Sequence, residues 1–265
     1  MDTGLLIEKI VIVLALFLVS LGVAAYLTLL ERKVAAWMQN RIGPDRAGKW
    51  GLLQPLADGG KLFFKEDFIP ANADRWLFII GPGISMGFAM MTSAVIPWGP
   101  NIEAFGRDIA LQVTDINVGI LFVMALSSVS VYGIMIGGWA SNNKYSLFSA
   151  IRASSQMISY ELAMGLAIIT IVLMNGSLSL REIVEAQHGM NWNIWYQPIG
   201  FIVFLVCTVA ELNRAPFDMA ECESELITGH HTEYGAMKQG FYMFAEYVHL
   251  FVGSAIIALL YFGGY

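Results

Sequence analysis

The chain has 265 residues, of which 57% are apolar and 14% charged, and its net charge is −6. Soluble domains carry about 25% charged residues, whereas here apolar residues come in blocks, including 21 uncharged residues from Ile10 to Leu30. These figures exclude disorder, a disulfide scaffold, a soluble enzyme core and, with no basic stripe to offset the acids, a nucleic-acid binder; they point to a multi-span membrane protein.

Six spans are expected, near 7–30, 76–96, 116–140, 151–174, 195–212 and 239–262, giving an all-α polytopic membrane protein. The N-terminus opens with Asp2 and Glu8 rather than a basic region, and its apolar run exceeds a signal core, so the first span is expected to be retained. Stretch 50–65 reads as an amphipathic helix in the first cytoplasmic loop, lying along the membrane interface. Leu53, Leu56, Ala57, Gly60 and Phe64 fall on one face and Gln54, Asp58, Lys61 and Lys65 on another. The spacings Gly83/Gly87 and Gly133/Gly137 permit close helix contact, as does chance in a chain with 26 glycines. Loops after spans one, three and five hold twelve Lys and Arg against three on the other side, which places the N-terminus outside.

Ionisable groups at membrane depth are costly, so they usually face protein or water-filled cavities. Glu161 and Glu246 are two such groups, each also close enough to a helix end to reach the interface. In the loop 211–233, Glu211, Asp218, Glu221, Glu223, Glu225 and Glu233 face a single Lys or Arg, Arg214. If that segment is helical, Arg214 can pair with Glu211 or Asp218, and Glu221 and Glu225 share a face. Crowded carboxylates in low dielectric titrate together, as a proton relay requires; a solvated acidic loop fits the same residues. At the end of the first span, Glu31-Arg32-Lys33 and Arg41 could orient a polar head group or simply anchor the span. Cys207 and Cys222 form no CxxC pattern, His249 is the single His within a span, and neither a strand pattern nor a Gly-rich nucleotide loop is found. No metal, haem or nucleotide site is therefore expected, and electrons must come from another chain.

Several motifs together carry a resemblance. Glu31-Arg-Lys-Val, Asn40-Arg-Ile-Gly-Pro-Asp-Arg46, Gly51-Leu-Leu-Gln-Pro-Leu-Ala-Asp-Gly59 and Lys61-Leu precede Asn213-Arg-Ala-Pro-Phe-Asp218, Glu223-Ser-Glu-Leu226 and Thr232-Glu-Tyr234. Over essentially its whole length the chain resembles the quinone-site membrane subunit of respiratory complex I, the proton-pumping NADH:quinone oxidoreductase. The resemblance implies the membrane side of the quinone cavity, with Glu31, Arg32, Arg41, Asp58, Lys61 and Arg214 at the cavity and its entrance. It implies a carboxylate path through Glu161, Glu211, Asp218, Glu221, Glu223, Glu225, Glu233 and Glu246 that couples quinone reduction to proton translocation. Quinone is then substrate, while iron–sulfur clusters and flavin belong to partner subunits. The implied partners are the hydrophilic arm with its terminal cluster, the small and antiporter-like membrane subunits, and the lipid of a bacterial or organellar inner membrane.

The resemblance has departures. The family has eight spans where six are read here, so residues 1–265 are expected to form a single membrane domain that lacks the C-terminal part of the family fold. Ala220 stands where Pro is expected and Cys222 where Ala is. His230 stands where an aromatic residue usually precedes His231, and a tuned proton site and a tolerated substitution both fit it. An ion-translocating component of a membrane-bound hydrogenase-type complex is the alternative on the same scaffold. A stand-alone transporter would carry inverted repeats, which the sequence does not display.

Overall fold

A computed structural model of the chain describes residues 3–104, 107–221 and 223–265, with the backbone alone for 3–7, 102, 104, 107, 108, 223 and 224. Helices α1 (Thr3–Met38), α3 (Arg75–Thr92), α4 (Gly119–Ala140), α5 (Lys144–Asn175) and α10 (Ala236–Tyr261) dominate. Five described helices are long and apolar enough to cross a membrane, and the apolar helix α8 (Pro198–Glu211) is a shorter one of 14 residues. The expected polytopic helical fold is therefore present, with the fifth expected span as its weakest member. At 1.5 Å per residue α8 is about 21 Å long. Between these lie α2 (Gln54–Phe64), α6 (Leu180–Ala186), α7 (Asn193–Tyr196) and α9 (Glu223–Leu226).

One expectation fails outright: Ile102–Ala104 (β1) and Arg107–Ile109 (β2) pair antiparallel, Ile102 opposite Ile109. A ladder of three residue pairs is too short to leave the alternating pattern by which strands are read from sequence.

Helix boundaries also shift. The apolar run ends at Leu30, but α1 continues to Met38. Glu31, Arg32, Lys33 and Ala35 are sound helix formers, so charge ends the apolar run without ending the helix. At 36 residues α1 is about 54 Å long, well beyond a hydrocarbon core of about 30 Å. Helix α5 starts at Lys144 because Asn143 caps it, its Oδ1 accepting from Tyr145 N at 2.9 Å. It ends at Gly176 in the left-handed region, φ 71°.

Among the described residues three apolar cores hold the bundle, the smallest of them formed by Phe78 of α3, Ala140 of α4, Tyr234 just before α10 and Tyr242 within it. Val123 of α4, Ile168 and Ile171 of α5, Phe204 of α8 and Leu260 of α10 form the first; Ala24 of α1, Ala89 of α3 and Val248 and Val252 of α10 form the second. Of the two glycine spacings, one packs. A Cβ at Gly133 would lie 2.2 Å from Ser85 Oγ and 2.8 Å from Gly81 O, so α3 and α4 meet backbone to backbone, whereas Gly83 and Gly87 face open space.

The connections 39–74, 141–143 and 212–235 come together at one end of the bundle, here the charged end. Connections 93–118 and 176–197 close the opposite end. There the buried ties are uncharged, beside an exposed Arg181–Glu185 pair and Lys9 at Gln112 O: Gln112 donates to Val95 O at 2.7 Å, Gln187 to Leu259 O at 2.8 Å and Asn193 to Leu260 O at 2.8 Å.

Candidate functional site

At the charged end, the turn 48–51 leads into α2. Gly48 and Gly51 both have φ near 75°, and a Cβ on Gly51 would meet Pro44 O at 2.2 Å. That turn brings Trp50 O to within 2.5 Å of Lys33 Nζ and directs α2 back across α1 and α10. The amphipathic assignment of α2 stands, with an orientation that periodicity alone does not give. Leu53, Leu56, Ala57 and Phe64 are exposed, while Pro55 is buried and Asp58 and Leu62 are half-buried. Asp58 turns inward because it has partners: Arg32 Nη1 at 2.6 Å and Gln54 Nε2 at 2.9 Å.

The result is a groove of about 830 Å³ between α1, α2 and α10, with Arg32, Asp58, Lys61, Lys65, Phe244 and Tyr247 on its walls. Its lining joins two cations and an ion pair to apolar surface, the combination that holds a polar head on an apolar tail.

Tyr247 links this groove to the interior. Its hydroxyl donates to Glu31 Oε2 at 2.7 Å, and its ring lies 4.8 Å from the Arg214 guanidinium carbon. Arg214 in turn donates to Glu31 Oε1 at 2.9 Å and stands 3.9 Å from Glu246 Oε2. Burial lowers the pKa of Arg214, but the hydrogen bond to Tyr247 and the charges of Glu246 and Glu31 outweigh it, so the guanidinium holds its proton more firmly than usual. The expected local pairs with Glu211 and Asp218 are replaced by these long-range ones. Helix α8 stops at Glu211 and the following residues turn, so the spacing of three and four residues that would align those acids with Arg214 never forms.

Behind Glu246 lies a cavity of about 480 Å³ lined by Glu211, Glu246, His230 and His249 with Ser85 and Ser130. A second, more apolar cavity of about 590 Å³ shares Glu211, His249 and Ser127 with it. The neighbouring Ser128 donates to Glu161. Glu31, Arg214, Glu246, Glu211 and Glu161 thus follow one another inward from the groove.

The other predicted acids stay near the loop surface. Asp218 Oδ1 accepts from Glu221 N at 3.1 Å, and both belong to the electrostatic neighbourhood of Glu246. Glu225 pairs with Arg152 at 2.6 Å, with 59% of its side chain exposed. Glu233 accepts from Asn143 Nδ2 at 2.7 Å. Helix α9 begins only at Glu223, so Glu221 and Glu225 do not share a helix face. Cys222 and the side chain of Glu223 lie outside the described residues. Arg41 turns to Gln39 at 2.7 Å and is not among the groove's walls. Lys238, not among the expected site residues, is clamped by both oxygens of Asp67 at 2.8 Å.

Three further residues complete the arrangement. Gln156 of α5 donates to Ala210 O at 2.8 Å and Phe217 O at 2.7 Å, which holds the loop that carries Arg214. A glutamine mid-span is the signal that could have marked it. His249 carries the same signal, whereas Tyr247, a common residue in membrane helices, carries none. Among the described residues no group of three His, Cys, Asp or Glu side chains is placed to hold a metal ion.

Comparison with known proteins gives concordant matches. A family model described as NADH dehydrogenase matches residues 10–265. The H subunit of the NADH-quinone oxidoreductase of Flavobacterium psychrophilum is 60% identical over all 265 residues, which cover 77% of that protein. Its counterpart in Thermomicrobium roseum is 48% identical, with the whole chain matched to 80% of the relative. A counterpart in Geobacter metallireducens is likewise 48% identical, with the whole chain matched to 79% of it.

Proposed function

The chain belongs to the family of the NADH-quinone oxidoreductase H subunit, and from that premise we propose that the groove between α1, α2 and α10 receives the quinone and that the carboxylates behind it couple quinone reduction to proton movement. The protein is a membrane subunit of the NADH:quinone oxidoreductase, multi-pass in an energy-coupling membrane. The finer reading has the charged end on the cytoplasmic side and the N-terminus on the other, as the Lys and Arg count favours. The hydrophilic arm, which brings the terminal iron–sulfur cluster, docks there. The small and antiporter-like membrane subunits flank the bundle.

The single observation that carries the proposal is the position of Tyr247, which lines the groove and also touches Glu31 and Arg214. Quinone reduction consumes two electrons from the partner cluster and two protons, and yields quinol. When a nearby carboxylate gives up a proton, its new charge acts on its neighbours with about 4 kcal/mol at 4 Å for an effective dielectric of 20. Arg214 already spans two acids, at 2.9 and 3.9 Å, so added charge on one side draws it from the other. Glu246, Glu211 and Glu161 then pass the disturbance inward as coupled titrations.

The test is Glu246→Gln in the assembled complex, which leaves the groove intact and removes the acid behind it. Quinone KM should hold while pumping-linked turnover falls by about tenfold, the scale of one charge-assisted hydrogen bond. Unchanged proton pumping with unchanged turnover would overturn the coupling role.

A further inference from the structure

The cavity behind Arg214 contains a group that the coupling scheme leaves unused. His230 is 1% exposed, and among the described residues neither ring nitrogen has a hydrogen-bond partner. Its ring meets His231 and Tyr242 edge-on, at 4.9 and 5.0 Å between centroids, so neither contact satisfies a nitrogen. Leaving one buried polar atom unsatisfied costs about 1–3 kcal/mol, and an apolar ring of the same shape would carry no such penalty. Yet the imidazole does not face apolar surface alone. It lines the same cavity as Glu246 and Glu211, whose walls also bring Ser85 and Ser130 from α3 and α4 and His249 from α10. A cavity with room for a few waters and that many polar groups is the setting in which buried water is held, each molecule making about three hydrogen bonds.

We propose that His230 is a positioning residue that holds ordered water between Glu246 and Glu211, its N–H donating to one water and its bare nitrogen accepting from another. The ring is neutral in this role. Burial, with His231 adding to it, pushes the His230 pKa down to about 3, so the imidazole presents one donor and one acceptor at working pH. The proton moves along the water: one leaves the acid on one side, one reaches the carboxylate on the other, and the ring is unchanged at the end. This inference rests on the carboxylate reading above and adds the element that bridges its two innermost cavity acids.

The test uses the assembled complex in sealed vesicles, comparing His230→Phe, His230→Leu and His230→Gln with the parent and with Glu246→Gln. Phe fills the space without polar atoms, Leu does so with less volume should Phe not assemble, and Gln restores a donor and an acceptor. The apolar variants should lower pumping-linked turnover by about 2- to 10-fold, the equivalent of one hydrogen bond, and raise the slowing in D₂O. The Gln variant should recover turnover and the parent's isotope effect. Parent-like turnover and isotope effect in the apolar variants would overturn the inference, as would Gln failing as fully as Leu. If Glu246→Gln is slow while the histidine variants match the parent, the inference about His230 alone is lost. If Glu246→Gln is parent-like too, the carboxylate reading falls with it.

Discussion

The two ends of the bundle are tied by different chemistry. At one end Gln112, Gln187 and Asn193 reach helix-terminal carbonyls through buried, uncharged bonds of 2.7–2.8 Å. At the other, Arg32–Asp58, Arg214–Glu31, Arg152–Glu225 and Lys238–Asp67 are ion pairs with at least one partner substantially exposed. Neutral bonds to backbone have one good geometry and do not respond to a nearby charge. Arg214 is hydrogen-bonded to Glu31 at 2.9 Å and stands 3.9 Å from Glu246, so a charge appearing on either acid can shift its pairing. The contrast separates an end built to stay from an end built to respond.

The largest break in that contrast comes from Arg214→Leu, which leaves Glu31 and Glu246 facing each other without a cation. Losing one partner of a buried charge pair costs about 2–5 kcal/mol, with the lower part of that range apt for a residue about one third exposed. Quinone-linked turnover should then fall by about 30- to 100-fold, with Arg214→Lys restoring part of it, as vesicle assays of NADH-driven pumping would register. A retained rate would remove Arg214 from the coupling end.

Asn193→Leu probes the opposite end. It strips Leu260 O of its buried donor and should cost about 1–3 kcal/mol of stability, read as a lower thermal midpoint of the assembled complex in detergent. Quinone KM should not move; if it does, the two ends are not independent. Next in size is Tyr247→Phe, which deletes the 2.7 Å bond to Glu31 but keeps the ring under Arg214. A change of about 2- to 10-fold in turnover is expected, larger with quinones of short tail if the groove is the entry.

The smallest structural effect belongs to Glu225→Gln. An exposed pair contributes about 0–1 kcal/mol, so the thermal midpoint should barely move. Pumping is the informative measurement: a clear loss places Glu225 on the coupling path, and parent-like pumping takes it off. Acid gives a last comparison. His230 and His231 are both held neutral, chiefly by burial. The unfolded chain binds protons below about pH 6.5 while the folded one resists until about 3 for His230, so stability falls as pH drops through that window. His230→Phe should flatten the acid limb of a midpoint-versus-pH curve.

Much of this is legible in the residues. Apolar runs of sufficient length make the first, third and sixth expected spans secure, because hydrocarbon thickness sets a length that few other constraints imitate. Glu161 and Glu246 are conspicuous for a similar reason, as acids where acids are expensive. The partners are not legible. Arg214 lies 183 residues from Glu31 in sequence, and local spacing therefore points to Glu211 and Asp218 instead. Asp58 falls on what reads as the outward face of α2, since periodicity identifies two faces but not which one meets the protein. The hairpin at 102–109 escapes because three residue pairs carry too little pattern.

The backbone contact at Gly81 and Gly133 bears on how the molecule can move. With Ser85 and the two main chains already touching, α3 and α4 have little room to slide or tilt against each other and travel as one plank. Tyr242 of α10 is seated on the same pair, donating to Gly133 O at 3.0 Å, so displacement during turnover falls to α1 and α2, which meet α10 across a groove and through charges that can re-pair. A crosslink within the plank would pass unnoticed by the enzyme, whereas one thrown across from α2 to α10 would seize it.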